Sequence, residues 1–454
     1  MFAMLNASAP LTPGDMMESR ERRAAYQQSL LRPGEAVVSF TMNIPGPRKL
    51  SPLRERGFDL GRQLIRQQLS DQGWAFAAAG SFVYNSGYEA FWQVRAAAPE
   101  VKRALLAVER DCPVGRLFDI DVLDEAGRPL SRTAVQAPPR TCLLCHRPAH
   151  ECGRVGRHSL EELLSQVDGL LREHFCQLEA DRAAALACRA MLAEVSVTPK
   201  PGLVDRRDSG AHRDMDFFTF LDSAAVLTPH FRRFFLLGRQ QAALAPEDCF
   251  QRLRYPGRLA EADMYRATGG VNTHKGMIFS LALLSAAWGR RYGLELPIDA
   301  AGLLQTAAQM AGEELRRELG GEGSTAGQRL YAQSGGGGLR CEAAAGYPTV
   351  LRHGLPCLQA YLGQGCDLNR AGALTLINIL AHCQDSNVFA RCGLAAQQQL
   401  RQEMLALSQR PDPPSLEELS QLNQEFIAKN ISPGGAADLL ALTFYLHFLD
   451  EEQL

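Results

Sequence analysis

The sequence predicts two domains of different class, an α+β domain over residues 1–177 followed by an all-α domain over residues 178–454. Three observations carry this. The chain has 454 residues, more than one hydrophobic core, which stops growing at roughly 250–300 residues, encloses. Before residue 177, short alternating segments interleave with helical ones. Beyond Ala180 the chain turns rich in Ala and Leu, with helical periodicity and little strand-type alternation. A hydrophobic content of 46% with 22% charged residues is that of an ordinary globular protein.

The first dozen residues read as a variable start. Helical propensity and charge pattern predict a helix over Met16–Leu31. Ala36–Asn43 alternates as a strand and runs into Ile44-Pro-Gly-Pro-Arg48-Lys49, a loop with two cations at a strand end. A helix over Phe58–Ser70, a strand-like Trp74–Ala79, an aromatic segment Ser81–Trp92 and a helix over Val101–Glu109 follow. Arg116–Leu123 is the clearest strand of the domain. His158–Arg172, with Ser159 as N-cap and Glu162 three residues on, is a helix that closes it. In the second domain helical patterns recur over Asp181–Glu194, Asp216–Val226, Met277–Gly289, Ile298–Leu319, Arg370–Ala381, Leu394–Leu407, Ser415–Ile427 and Ala436–Asp450. The chemistry is expected in the loops between them.

A net charge of −2 argues against a general nucleic-acid or membrane partner, so phosphate-binding charge must be local. The longest apolar segments, Met277–Trp288 and Leu439–Leu449, are too short to span a bilayer. Residues 1–15 lack the basic start and apolar centre of an export signal. The expectation is a cytoplasmic protein whose twelve cysteines are reduced thiols.

Asp119 and Asp121 lie two apart on the Arg116–Leu123 strand, so both carboxylates project from one face while Phe118, Ile120 and Val122 take the other. Two ionised carboxylates that close repel unless a cation sits between them. Nucleotidyltransferases hold Mg²⁺ this way, and the metal then neutralises a departing pyrophosphate. The first domain is thus expected to be nucleotidyltransferase-like, with Arg48, Lys49 or Arg116 on phosphate. The competing reading is an exposed strand face that happens to carry two acids.

Between Arg140 and Cys152, the run RTCLLCHRPAHEC offers Cys142, Cys145, His150 and Cys152 as zinc ligands, opening with a two-residue thiolate spacing. Its second half is cramped for a zinc knuckle, and reduced cysteines packing a turn are the favoured reading.

The most charged loop is EVSVTPKPGLVDRRDSGAHRDMDF, Glu194–Phe217. After a Pro-Lys-Pro-Gly breaker, Asp205, Asp208, Asp214 and Asp216 interleave with Arg206, Arg207, His212 and Arg213. Carboxylates suit a Mg²⁺ that shares its shell with polyphosphate oxygens, Asp214 among its ligands, and the basic groups suit the phosphates themselves. A self-compensating surface loop is the alternative. Downstream, RATGGVNTHKGMI places Asn272, His274 and Lys275 at the first turn of an apolar helix, a phosphate-compatible N-terminus that is no Walker A motif. Gly335–Gly338 is a second flexible loop. Asp385 and Asn387 stand at the end of another apolar helix, in HCQDSN. Ser432-Pro-Gly-Gly reads as pure capping.

These stretches carry a resemblance over nearly the whole chain. EVSVTPKPGLVDRRDSGAHRDMDF, GGVNTHKG and HCQDSNV resemble the triphosphoribosyl-dephospho-coenzyme A synthase family. NIPGPRKLSP, GRLFDIDV and RTCLLCHRPAHEC resemble the apo-citrate lyase phosphoribosyl-dephospho-coenzyme A transferase family. Their order resembles the fused bifunctional form of some bacteria. The resemblance implies that the second domain joins ATP to 3′-dephospho-coenzyme A with release of adenine. The first would then transfer the phosphoribosyl-dephospho-coenzyme A unit to a serine of the citrate lyase acyl carrier protein, the gamma subunit, with release of pyrophosphate. The synthase also resembles its malonate decarboxylase counterpart, whose carrier protein is the alternative acceptor. Two rivals are an all-α ATP-dependent transferase for another acceptor and a first domain that only docks a carrier protein. For the first reaction Asp205, Asp208, His212, Asp214 and Asp385 are the candidate catalytic groups, with His274 and Lys275 on the triphosphate. For the second they are Asp119 and Asp121.

Overall fold

A computed structural model describes residues 11–145, 147–321, 323 and 325–451. The variable start lies almost wholly outside them, as does His146. The chain forms two compact units, Met1–Leu178 and Glu179–Leu454.

The first unit contains α1 (Pro13–Leu30), β1 (Ala36–Met42), α2 (Pro52–Asp71), β2 (Phe76–Tyr84), β3 (Gly87–Val94), α3 (Ala98–Asp111), β4 (Phe118–Leu123) and a short α4 (Ala149–Arg154). The four strands form one antiparallel sheet in the order β2-β3-β1-β4. Phe40, Trp92, Ile120 and Val122 point into the core and meet Phe58, Ile65, Val101 and Leu105 of α2 and α3. The strand expected at Trp74–Ala79 begins two residues later, at Phe76, and extends to Tyr84. The aromatic segment becomes the β2–β3 hairpin. On the opposite sheet face α1 lays Tyr26 edge-on against Phe91, with centroids 4.8 Å apart, and pairs Arg23 with the buried Glu89 at 3.1 Å.

Strand β4 is an edge, and an edge exposes unpaired carbonyls. Here Arg140 donates to Phe118 O at 2.9 Å, Lys102 Nζ to Ile120 O at 2.6 Å and the Leu130 amide to Val122 O at 2.8 Å. Three consecutive outward carbonyls are thus closed, two of them by cations.

The helices expected over His158–Arg172 and Asp181–Glu194 are one continuous helix, α5 (Leu160–Ser196). Nothing between Arg172 and Asp181 breaks a helix: the intervening residues are free of Gly and Pro.

The second unit continues with α6 (Phe217–Gln240), α7 (Pro246–Ala267), α8 (Lys275–Gly293), α9 (Ala300–Leu319), α10 (Ala326–Ser334), α11 (Gly338–Ala344), α12 (Leu355–Gly363), α13 (Leu368–His382), α14 (Ser386–Ser408), α15 (Leu416–Ala428) and α16 (Gly434–Glu451). No strand occurs among its described residues. Helix α16 is apolar nearly all round and buried from Ala436 to Leu449 save for Asp438, as a central helix must be. No helix among the described residues is long and apolar enough to cross a membrane.

Helix α7 was not expected. Its internal Pro256 removes one backbone donor, but the buried ring packs and the helix runs on. The pattern expected to begin at Leu394 does so because Gly393 has a φ of 83° inside α14; a first segment from Ser386 precedes that break.

Candidate active sites

In the first unit Asp119 and Asp121 stand side by side on the outer face of β4, opposite Thr41 and Ser39 of β1. Water touches Asp121, yet the protein around it desolvates its carboxyl enough to raise its pKa, and the Asp119 charge adds to the rise. Asp119 is held by Arg140, Nη1 to Oδ1 at 2.8 Å. The other end of the same guanidinium reaches the buried Glu109 at 3.0 Å, which also pairs with Arg132.

Beside this network lies a cavity of 550 Å³. Arg103, Arg110, Arg116, Arg132 and Arg140 line it, against one carboxylate, Glu109. Arg140 and Arg132 crowd Arg116, whose pKa is lowered first by burial and then by these charges. Such a concentration of guanidinium in a near-neutral chain suits an anion. Arg48 is exposed on its loop and far from idle: its carbonyl accepts from Arg54 at 2.8 Å. Lys49 spends its ammonium on Ile44 O, and burial with the Arg54 charge lowers its pKa. Neither residue lines the arginine cavity.

Close by, Cys142, Cys145, Cys152 and His158 bring their ligand atoms together within 4.8 Å. His150, the fourth ligand in the less favoured zinc reading, is exposed on α4. His158, eight residues further on, takes its place because the chain turns back after Arg154. None of the cysteines among the described residues forms a disulfide.

In the second unit a cavity of 690 Å³ is lined by Glu194, Lys200, His212, Arg213, Asp214, Asn272, Lys275, Asn387, Arg391, Ser432 and Asp438, among others. Its size is that of a nucleotide-scale ligand site. The first turns of α8, α14 and α16 all contribute to its wall, through Lys275 and Gly276, Ser386 and Asn387, and Gly434 and Gly435. Three helix N-termini thus border one space, an arrangement whose dipoles favour an anion there.

Of the expected residues, His212, Arg213, Asp214, Asn272 and Lys275 therefore meet in one place. Nε2 of His212 lies 2.7 Å from Ser432 Oγ; burial, then Arg391, lowers its pKa, so it is neutral at neutral pH. Asp214 stands exposed at the rim, and Lys275 pairs with Glu261 at 3.0 Å.

The other expected residues do not line the cavity. Asp205 is 2% exposed and accepts the amides of Lys200, Arg207 and Asp208, which shapes the loop. Asp208 takes the amide of Gly210 and the side chain of Asn423. Asp385 caps α14 through the amides of Asn387 and Val388, and reaches Ala436 of α16 at 2.8 Å. Burial raises its pKa in spite of these donors. His274 is fully buried, Nδ1 2.6 Å from Ser223 Oγ, and desolvation lowers its pKa to about 3. The loop Gly335–Gly338 is tied by the Gly338 amide to Gln384 O.

Two lining carboxylates are absent from the expected set. Glu194, 1% exposed, forms a buried ion pair with Lys200, and its Oε2 has no hydrogen-bond partner among the described residues. Asp438 accepts the Met277 amide at the start of α8. Burial, the Glu194 charge and the Asp385 charge raise its pKa well above 3.8, and burial raises that of Glu194. The one available signal was a single acid inside the otherwise apolar 434–449 stretch.

Two family models match the chain. That of the apo-citrate lyase phosphoribosyl-dephospho-CoA transferases covers residues 12–174, and that of the ATP:dephospho-CoA triphosphoribosyl transferases covers residues 180–454. The chain is 33% identical to the "Protein CitXG" of Leuconostoc mesenteroides subsp. cremoris, over 95% of its own length and 96% of that protein's. It is 32% identical to the Haemophilus influenzae protein of the same name, over 95% of each. A Citrobacter koseri protein named as a probable 2-(5″-triphosphoribosyl)-3′-dephosphocoenzyme-A synthase matches at 45% identity over 59% of this chain and 90% of its own. The chain belongs to the family of fused two-activity transferases that make the prosthetic group of citrate lyase and attach it.

Proposed function

We propose that the 690 Å³ cavity is where ATP meets 3′-dephospho-coenzyme A. In that reaction the acceptor 2′-hydroxyl oxygen bonds to the ribose C1 of ATP and the bond from that carbon to adenine breaks. The hydroxyl proton leaves and the adenine takes one up. Positive charge builds at the ribose carbon in between, and a carboxylate beside it stabilises that charge. Glu194 and Asp438 supply this carboxylate and the general base, the deeper groups of the cavity with raised pKa values. Lys275, Arg213 and Arg391 take the triphosphate at the rim, where Asp214 suits a Mg²⁺ shared with phosphate oxygens. Asp205, Asp208 and Asp385 hold the loops and helix starts that shape the cavity.

In the first unit the sheet is read as a nucleotidyltransferase-like centre. A serine hydroxyl of the citrate lyase acyl carrier protein attacks the α-phosphorus of the triphosphate; the Pα–O–Pβ bond breaks and pyrophosphate leaves. Asp119 and Asp121 are the carboxylates that would hold Mg²⁺, and the arginine cavity receives the anionic substrate. The single observation that carries the reading is the contact of Arg140 with Asp119 at 2.8 Å, which joins the carboxylate pair to the anion site. Both substrates belong to the cytoplasm.

Incubation of the chain with ATP, Mg²⁺ and 3′-dephospho-coenzyme A tests the first step. Adenine and a triphosphoribosyl product in equal amounts are expected; folded, metal-supplied protein that releases no adenine would sink the reading. Labelled product incubated with apo-carrier protein tests the second step. Labelling of the malonate decarboxylase carrier in its place would redirect the assignment of the acceptor.

A further inference from the structure

We propose that Cys142, Cys145, Cys152 and His158 bind one zinc ion, a closed structural site that holds the loop carrying Arg140 in place. A tetrahedral ion with Zn–S bonds near 2.3 Å and a Zn–N bond near 2.0 Å sets its sulfurs about 3.8 Å apart and the nitrogen about 3.5 Å from each sulfur. The four groups already lie within 4.8 Å of one another, and Cys145 Sγ is 3.4 Å from Cys152 Sγ. That separation is within about 0.4 Å of the one a shared metal sets and far exceeds the roughly 2.05 Å of a disulfide.

The backbone around the thiols is built for the purpose. The Cys142 amide donates to Arg147 O at 2.7 Å, and an isolated bridge joins Thr141 to Pro148. Cys142 and Cys145 therefore sit on a tight reversal. Inside it the Leu144 amide points at Cys142 Sγ at 3.5 Å, a donor aimed at the sulfur. Cys152 is 5% exposed in α4. Its carbonyl accepts the Arg157 amide at 3.1 Å, which folds the chain back and delivers His158. Nε2 of His158 is buried with no hydrogen-bond partner among the described residues, a costly arrangement for a polar atom. A bound cation removes that cost. Three thiolates and an imidazole are a soft donor set that favours zinc over Mg²⁺, and four protein ligands leave no open position for substrate.

The site has something to hold. Among the described residues from Asp124 to Ser159, a 3-10 turn and the six-residue α4 are the only regular helices. Yet this stretch delivers Arg140 to Asp119 and Glu109, and Thr141 accepts from Arg116 through Oγ1 at 2.5 Å and through its carbonyl. A metal clip next to these residues supplies the order that a small apolar core does not.

The full chain, purified without chelator, is expected to carry one zinc per chain by plasma mass spectrometry, released in step with thiol modification by a mercurial. Replacement by Co²⁺ should give thiolate-to-metal charge-transfer absorption and the intense visible bands of a tetrahedral site. His158→Ala should lose the metal while His150→Ala retains it. Chelated chain should transfer to carrier protein at least tenfold more slowly, release adenine at the unchanged rate, and recover with added Zn²⁺. Wild-type chain without stoichiometric metal would overturn the proposal, whether its thiols are free or Cys145 and Cys152 have oxidised to a disulfide. So would full retention of zinc by His158→Ala. The cobalt spectrum is read on the wild-type chain, so the test survives a variant that fails to fold.

Discussion

Asp438 of α16 rests on Gly276 of α8: a Cβ at position 276 would lie 1.9 Å from its Oδ2. The first turn of α8 and the carboxylate at the bottom of the cavity are thereby fitted to each other, and any side chain at 276 must push Asp438 aside. Gly276→Ala is expected to slow adenine release about 100-fold, the cost of displacing by roughly 1 Å the group proposed to react. Transfer of ready-made triphosphoribosyl product to carrier protein should be unchanged. Separate rates for the two steps check this.

Asp438 itself carries a pH signature. Its pKa is raised in the folded protein above the ordinary 3.8, so the stabilising contribution of the neutral form is complete below about 3.8 and is lost as pH rises through the raised value. Asp438→Asn keeps the shape and removes the charge. The variant should melt at a higher temperature than wild type at pH 8, with the gap closing as pH falls, while adenine release drops 100-fold or more. Melting curves across pH, paired with the assay, decide it. A variant less stable than wild type at pH 8 would contradict the assignment.

Lys200 and Glu194 are each 1% exposed and answer one another. Lys200→Met leaves a carboxylate buried without its partner, at an expected cost of about 3–5 kcal/mol. Changing both, to Lys200→Met with Glu194→Leu, should restore most of that stability and none of the adenine release. Chemical denaturation of the single and double variants, followed by a probe in the second unit, gives the comparison.

Arg140 is expected to matter to one reaction only. Arg140→Ala frees Asp119 and leaves Glu109 with Arg132 alone. Carrier transfer should fall about 100-fold or more, with adenine release at the wild-type rate. Asp119→Asn and Asp121→Asn should show the same split, and in those two raising Mg²⁺ should not rescue transfer. A variant of the three that keeps normal transfer would place the chemistry of the first unit elsewhere.

Asp119 and Asp121 were legible as a pair because a strand repeats every two residues, a rule needing only the local sequence. The loop around His212 to Asp214 was legible from its density of charge. Glu194 and Asp438 were not: the first looks like one more acid on an Ala- and Leu-rich helix, and the second meets Gly276 across 162 residues. Such meetings are products of tertiary packing. Asp205, Asp208 and Asp385 show the converse. In sequence, a carboxylate that braces backbone amides is indistinguishable from one that faces a substrate. Helix α7 escaped for a related reason, since Pro256 reads as a break until its burial within the packed helices is seen.

The alternation of β4 sets a condition on folding as well as on chemistry. Sliding the strand by one residue against β1 would turn Asp119 and Asp121 into the core and strand Phe118, Ile120 and Val122 in water. A mispaired sheet would therefore be unstable and inactive at once. Few molecules should persist that are folded but lack the carboxylate pair, and activity per folded chain becomes a proofreading mark of correct pairing.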